Sequence, residues 1–193
     1  MQKLAIGTVQ FGTDYGINSV AGQVKKKEVK RILSYAYSQG LDLLDTAPAY
    51  GNSEKVLGNS NIKNFKIVTK TRSFNNSKID QTSLKIIQND FSRSLKNLKR
   101  DSVYGILVHN ANDLLRPGSE ILFNKLNDLK RAKKIKKIGV SVYDHIQLQS
   151  ILENFEIDLV QLPFNILDRR LIDNGLLTTL QGKGVEVHAR SVF

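Results

Sequence analysis

Four ionisable side chains of this 193-residue chain stand at or near the ends of strand-like segments, where together they could move a proton. Asp45, Lys70 and His109 each close an apolar run, and Tyr50 lies five residues after Asp45 in a Pro-containing loop. A lysine buried at a strand end needs a carboxylate partner, which Asp45 supplies if its strand is the neighbour. The ammonium would lower the pKa of an adjacent tyrosine from about 10. Tyr50 would then give or take a proton near neutral pH.

His109 adds a hydrogen-bonding group that would orient a substrate carbonyl oxygen. The set is then a general acid with an electrostatic tuner, which suits the protonation of a developing alkoxide. Taken singly, each residue has a structural interpretation, as an ion pair between strands, a surface aromatic or a core histidine. The conjunction of all four at matching positions favours the catalytic interpretation.

Alternating β-type and helical segments must position these side chains. The β-type runs, rich in Val, Ile, Leu and Phe, cover residues 4–9, 41–45, 65–70, 103–109, 135–142, 157–164 and 185–193. Helical spacing of apolar residues predicts helices over 29–37, 84–98, 121–129, 146–155 and 176–180, with a shorter one over 53–58. Gly40 stands where a helix cap belongs, and Pro117-Gly118-Ser119 is a helix-start signal.

Seven strands separated by helices predict a parallel sheet and an α/β fold. A doubly wound sheet would place a glycine-rich phosphate loop after its first strand, but residues 7–12 read Gly-Thr-Val-Gln-Phe-Gly. The alternative is a (β/α)8 TIM barrel, which places polar chemistry at the carboxyl ends of its strands. The residues found there are Asp45, Lys70, His109, Ser141, Gln161 and Arg190. We therefore predict one barrel domain, residues 1–193, that is incomplete because seven strands leave no sequence for the last β/α unit.

Composition excludes several classes of protein. The hydrophobic fraction of 40% and the charged fraction of 24% are typical of a globular domain. The absence of cysteine excludes disulfides and thiolate metal ligands, and no metal site is predicted. The apolar runs reach only about eight residues, too few to span a bilayer, and residues 1–9 show no signal-peptide pattern. We expect a cytoplasmic protein without a membrane partner.

The net charge is +11, from 29 basic and 18 acidic residues. The densest basic cluster, residues 130–137, has no interleaved aromatics and no nucleic-acid motif, so it is interpreted as a solvated helix face. We expect no nucleic-acid partner.

Residues 40–54, which read Gly-Leu-Asp-Leu-Leu-Asp-Thr-Ala-Pro-Ala-Tyr-Gly-Asn-Ser-Glu, resemble the signature of the aldo-keto reductase family. With Lys70 and His109 following in order, the resemblance extends from residue 4 to 193, and the segments 161–165 and 190–193 are similar to a bacterial branch. It implies an NADP(H)-dependent carbonyl reductase, or alcohol oxidoreductase, acting on a small-molecule carbonyl substrate. Tyr50 would be the general acid, tuned by Lys70 and Asp45, and His109 would orient the substrate.

The resemblance also implies where NADPH would bind. Gly7, Thr8 and Val9 would cradle the nicotinamide, Ser141 and Gln161 would hold its carboxamide, and Ser191 would face the pyrophosphate. This chain departs from the family at two positions: Val142 replaces a common asparagine, and Arg190 replaces a tyrosine that often stacks on the nicotinamide. A planar guanidinium can also stack on a ring.

The family's loop for the adenosine 2′-phosphate would follow the seventh strand, so the resemblance implies a chain truncated after that strand. We expect the isolated chain to show weak or no turnover. Its open barrel edges would favour self-association. The alternative hypothesis is a non-catalytic barrel fragment that binds a nucleotide or a protein.

Overall fold

Seven strands form one parallel sheet in the computed structural model, which describes residues 4–16 and 22–192. The strands are β1 (Ile6–Gly7), β2 (Leu43–Asp45), β3 (Lys66–Lys70), β4 (Val103–Val108), β5 (Ile135–Ser141), β6 (Leu159–Pro163) and β7 (Glu186–Arg190). Their order in the sheet is their order in the chain. In a doubly wound sheet the order of the strands reverses part-way across the sheet. Parallel strands in consecutive order are the arrangement of a (β/α)8 barrel. The prediction of an incomplete TIM barrel is confirmed.

Helices connect these strands, as parallel neighbours require. They are α1 (Val9–Gly12), α2 (Lys26–Ser38), α3 (Ser53–Gly58), α4 (Gln81–Leu98), α5 (Ser119–Arg131), α6 (His145–Asn154), α7 (Arg170–Asp173) and α8 (Leu176–Gly182), with a 3₁₀ helix at Ala111–Leu114. Within residues 4–16 and 22–192, none of these helices combines the length and apolarity needed to cross a bilayer.

The chain divides into two compact units, of which the first runs to Thr71 and includes Gln88–Tyr104. Of the predicted apolar stripe Val29, Ile32, Leu33, Ala36 and Tyr37, helix α2 buries Val29, Leu33 and Ala36, whereas Ile32 is half-buried and Tyr37 is exposed. The helix ends where Gly40 takes φ 79°, a conformation that side chains disfavour, so the predicted cap is confirmed. The core of this unit contains Leu44, Leu57, Ile67 and Leu98.

The second unit consists of Arg72–Ile87 and the chain from Gly105 onwards. Helix α5 begins directly after Gly118, which has φ 83°, as the sequence signal predicts. The core of this unit contains Leu107, Leu122, Leu126, Ile138 and Leu148.

Several element boundaries differ from the sequence-based expectation. The predicted strand 4–9 is reduced to two residues because the chain turns into α1 at Val9. The predicted strand 185–193 ends at Arg190, and Phe193 lies outside the described residues. Helices α1 and α7 and the 3₁₀ helix are too short to give a periodic signal.

The basic cluster is less solvated than expected. The ammonium of Lys130 lies 2.6 Å from the Asp158 carboxylate, and Lys137 pairs with Glu186. Two of its charges therefore hold strand ends of the second unit, while Lys133, Lys134 and Lys136 are exposed.

Gly139 of β5 is predicted to be essential to the second unit. A Cβ atom at this position would lie 2.1 Å from the Leu159 carbonyl oxygen of the neighbouring strand. We expect Gly139→Ala to lower the free energy of unfolding by about 1–3 kcal/mol, measured by urea denaturation. Gly182→Ala is the control, because a Cβ there meets nothing within 4 Å and should change stability by less than about 1 kcal/mol. Equal effects of the two substitutions would contradict the packing argument.

Candidate active site

An ion pair with a buried ammonium joins the carboxyl ends of β2 and β3. The Lys70 ammonium lies 2.6 Å from Oδ1 of Asp45 and donates to the Thr46 carbonyl oxygen at 3.1 Å. The Lys70 side chain is 1% exposed, so these oxygens take the place of water around its charge. The strand register pairs Asp45 with Val68, which lies two residues before Lys70. Asp45 and Lys70 are therefore at the same end of the two strands. The predicted partnership of Asp45 and Lys70 is present in the structure.

The aromatic ring of Tyr50 lies beside this ion pair. Its centroid is 4.8 Å from the Lys70 ammonium, and the residue is half-buried. The turn that carries it is closed by hydrogen bonds from Tyr50 N–H to the Ala47 carbonyl and from Ser53 N–H to the Tyr50 carbonyl, both 3.0 Å. Three of the four residues proposed for proton transfer are therefore adjacent within the first unit.

Two glycines allow this turn to pack closely against α1. A Cβ on Gly12 would lie 1.8 Å from the Tyr50 carbonyl oxygen, and a Cβ on Gly51 would lie 2.5 Å from the Gly12 carbonyl oxygen. Gly51 also has φ 57°, which favours glycine. The position of Tyr50 thus depends on direct backbone packing.

A cluster of buried hydroxyl groups supports the end of β2. Thr8 donates through its hydroxyl to the Asp45 carbonyl oxygen at 2.8 Å. The Ser53 hydroxyl lies 2.8 Å from the Thr8 hydroxyl and 3.2 Å from that of Thr46. All three hydroxyl-bearing residues are fully buried. The Thr8 hydroxyl is therefore already hydrogen-bonded inside the protein. Thr8 would contact a ligand through its backbone.

Glu54, in the first turn of α3, is a buried carboxyl group that contacts β3. It is 4% exposed and accepts a 2.8 Å hydrogen bond from the Thr69 hydroxyl. Burial raises the pKa of Glu54, partly opposed by hydrogen bonds such as that from Thr69. The Glu54 carboxyl group therefore anchors Thr69, the residue that precedes Lys70.

In the second unit, Ser141 and Gln161 lie side by side at the ends of β5 and β6. The strand register pairs them directly, and the Val142 N–H donates to the Gln161 carbonyl at 2.9 Å. The two residues are 5% and 7% exposed. Adjacent side chains of this kind offer both donors and acceptors, as an amide ligand needs.

Arg190, at the end of β7, stacks on a tyrosine that the sequence did not single out. Its guanidinium carbon is 4.0 Å from the centroid of the Tyr143 ring, and the group donates to the Val142 carbonyl oxygen at 3.1 Å. Tyr143 is 67% exposed. The only sequence signal for it is an aromatic residue two positions past Ser141.

The remaining predicted residues lie at the end of a strand or one or two residues beyond it. Gly7 ends β1, is exposed and pairs in register with Asp45, and a Cβ placed on it would meet nothing within 4 Å. Val9 and His109 are half-buried, the latter one residue past β4. Ser191 is exposed and has φ 53°, and its carbonyl accepts from the Asn165 amide at 2.8 Å.

Comparison with known proteins places these features in a family context. The model of the Aldo/keto reductase family matches residues 3–193. The chain is 26% identical over 211 residues to the NADH-specific methylglyoxal reductase of Escherichia coli (strain K12) and 27% identical over 198 residues to the aldo-keto reductase YhdN of Bacillus subtilis (strain 168). The matches cover 99% and 93% of this chain. They cover 63% and 57% of the relatives, so the chain spans less than two thirds of their length.

Solved structures agree with the family match. A crystal structure from Pseudomonas aeruginosa, assigned to the aldo-keto reductases, is similar with a TM-score of 0.77 and 26% sequence identity. The similarity covers 95% of this chain and 70% of that one.

The ion pair of Asp45 and Lys70 predicts a large stability effect. Asp45→Asn would leave a buried ammonium without its counter-charge, and we expect the free energy of unfolding to fall by about 3 kcal/mol in chemical denaturation. Asp42→Asn is the control, because Asp42 pairs with Lys66 at 2.8 Å where both side chains are about half exposed. That substitution should change stability by less than about 1 kcal/mol. A result for Asp45→Asn no larger than the control would show that the Lys70 charge is solvated.

Proposed function

The chain belongs to the aldo/keto reductase family, and on that premise we propose that it is a nicotinamide-dependent oxidoreductase that reduces the carbonyl group of a small molecule. The observation that carries the proposal is the buried Lys70 ammonium, held by Asp45 at 2.6 Å and by the ring of Tyr50 at 4.8 Å. Because the chain spans less than two thirds of its curated relatives, the activity of the whole protein is part of the proposal.

In this function Tyr50 holds the proton that the substrate oxygen receives. The Lys70 ammonium favours the phenolate that remains after transfer, because opposite charges stabilise each other at short range. Asp45 compensates the ammonium in a site from which water is excluded and fixes its position. His109, at the end of β4, would orient the carbonyl oxygen by a hydrogen bond. A nicotinamide, when bound, supplies the hydride.

The residues present fit a nicotinamide group. Ser141 and Gln161 are adjacent and buried, and both can hydrogen-bond a carboxamide. Gly7 leaves open space at the end of β1, beside Asp45, where a flat ring can approach the backbone with Thr8 and Val9. Arg190 offers a guanidinium plane already stacked on Tyr143, in the place where the family resemblance implies a ring-stacking residue. Ser191 follows and would face the pyrophosphate.

The family resemblance predicts NADPH as the cofactor, and one relative is described as an NADH-specific reductase. We propose NADPH and test it against NADH. The name of that relative also supplies methylglyoxal as a first carbonyl substrate to test.

Removing the phenol hydroxyl tests the proposed acid. We expect Tyr50→Phe to lower the rate of NADPH oxidation with methylglyoxal by a factor of about 100 or more, because general acid catalysis contributes roughly 10²–10⁴. Single-turnover measurement at high protein concentration suits a chain expected to turn over weakly. Tyr35→Phe, at a tyrosine that is 69% exposed, is the control and should leave the rate unchanged. Cofactor binding without any Tyr50-dependent turnover would support the non-catalytic binding fragment instead.

The carboxamide subsite is tested by affinity. We expect Ser141→Ala to raise the Kd of NADPH by about 2- to 10-fold, the net worth of one lost hydrogen bond. Titration followed by cofactor fluorescence measures this for NADPH and NADH in parallel. Ser150→Ala, on helix α6 of the same unit, is the control and should leave both constants unchanged. A tighter Kd for NADH than for NADPH would overturn the proposed cofactor and leave the subsite intact.

A further inference from the structure

Asp113 is a fully buried carboxyl group that the proposed chemistry does not use. It lies in the 3₁₀ helix Ala111–Leu114, between β4 and α5, and is 0% exposed. Its Oδ2 accepts a hydrogen bond from the Phe74 N–H at 3.2 Å. Its Oδ1 lies 3.2 Å from an Arg116 nitrogen without an aligned hydrogen bond. The carboxyl group therefore reaches from one loop to the backbone of another.

Arg116 connects the same two loops through a second set of hydrogen bonds. Its guanidinium donates to the Phe74 carbonyl oxygen at 3.0 Å and also to that of Asn76, and it donates to the Asn112 carbonyl oxygen at 3.2 Å. Its side chain is 18% exposed. Phe74 is thus held at both its N–H and its carbonyl group by two residues of the 111–118 segment.

A third attachment lies at the far end of the loop. The Ile79 N–H donates to the Pro117 carbonyl at 2.9 Å. The Ile79 carbonyl is close enough to Gly118 that a Cβ there would lie 2.0 Å from it. Residues 72–79, the segment after β3, are therefore fastened along their length to residues 111–118, the segment after β4.

The charge of Asp113 opposes this arrangement. Burial raises the pKa of Asp113 to about 6, with the Phe74 hydrogen bond and the Arg116 charge lowering it only in part. Among the described residues, Arg116 is the charged group that faces it. A carboxyl group whose pKa is raised by burial binds its proton more tightly when buried than when exposed. Proton binding by Asp113 therefore stabilises the attachment of residues 72–79 to residues 111–118. This stabilisation is fully present below about pH 4 and is lost as pH rises through about 6.

A protonated Asp113 can keep the contacts that matter. Its carbonyl oxygen still accepts from Phe74, because a neutral carboxyl group retains acceptor capacity. Arg116 retains its three backbone carbonyl acceptors. Protonation therefore removes the unfavourable burial of a negative charge and leaves the hydrogen bonds between the segments in place.

We propose that Asp113 and Arg116 clamp segment 72–79 to segment 111–118, and that a proton on Asp113 tightens the clamp, so that segment 72–79 becomes more ordered as pH falls from 7.5 to 5.5. Asp113 is a positioning residue in this scheme. Segment 72–79 begins two residues after Lys70, and segment 111–118 begins two residues after His109. An effect of the clamp on catalysis through these two residues would rest on the proposed function, whereas the clamp itself does not.

Hydrogen exchange followed by mass spectrometry tests the clamp without any substrate. We expect protection factors of amides in segment 72–79, corrected for intrinsic exchange rates, to rise about fourfold between pH 7.5 and pH 5.5. Asp113→Asn keeps an acceptor for Phe74 without a charge. It should show high protection at both pH values and no dependence on pH. Asp113→Leu removes the acceptor and should lower protection at both pH values.

Asp128→Asn is the matched control, because Asp128 is an exposed aspartate of the same unit paired with Arg131. It should reproduce the unsubstituted protein at each pH. The proposal is overturned if protection of segment 72–79 is flat or falls as pH is lowered, or if Asp113→Asn keeps the original pH dependence. The asparagine variant is nearly isosteric, so the test does not depend on the folding of the leucine variant. Failure of the reductase proposal would leave these exchange results unchanged, and failure of the clamp would leave the Tyr50 result unchanged.

Discussion

The buried ammonium of Lys70 is the constraint on which the candidate site depends. A charge that is 1% exposed must be compensated where it stands, and the compensation comes from the Asp45 carboxylate and the Thr46 carbonyl at the end of the neighbouring strand. A slip of one residue between β2 and β3 would turn Lys70 to the other face of the sheet. The register that pairs Asp45 with Val68 is thus a requirement of the charge as much as of the apolar core.

The position of Tyr50 beside Lys70 is fixed by packing. Its turn is fixed by backbone packing on backbone at Gly12 and Gly51, where a Cβ would lie within 2.5 Å of carbonyl oxygens. Beneath the turn, the hydroxyls of Thr8 and Ser53 satisfy one another at 2.8 Å in a site closed to water. The Tyr50 ring, placed by packing, and the Lys70 ammonium, placed by charge, therefore meet at one strand end, with little freedom for either to shift.

The parts of this structure that follow local patterns were predictable, and the parts that depend on distant partners were not. Apolar periodicity located all seven strands, and the parallel order that it implied placed Asp45 beside Lys70. Strand ends were overestimated because apolar residues continue past the last ladder pair, as at Val9. The contact of Glu54 with Thr69 spans 15 residues and that of Phe74 with Asp113 spans 39, so no local spacing predicts either. The stack of Arg190 on Tyr143 was unpredictable for the same reason.

Carboxyl groups that are buried or half-buried serve two physical purposes in this protein. Asp45 faces a full positive charge at 2.6 Å, so Coulomb attraction offsets its desolvation and holds the Lys70 ammonium in place. Glu54 is held mainly by neutral donors, and burial raises its pKa. Asp113 has an arginine nearby, but without an aligned hydrogen bond to it, and burial again outweighs the attraction. The depth of burial and the alignment of the donor therefore distinguish the carboxyl group that acts as a counter-ion from the one that binds a proton.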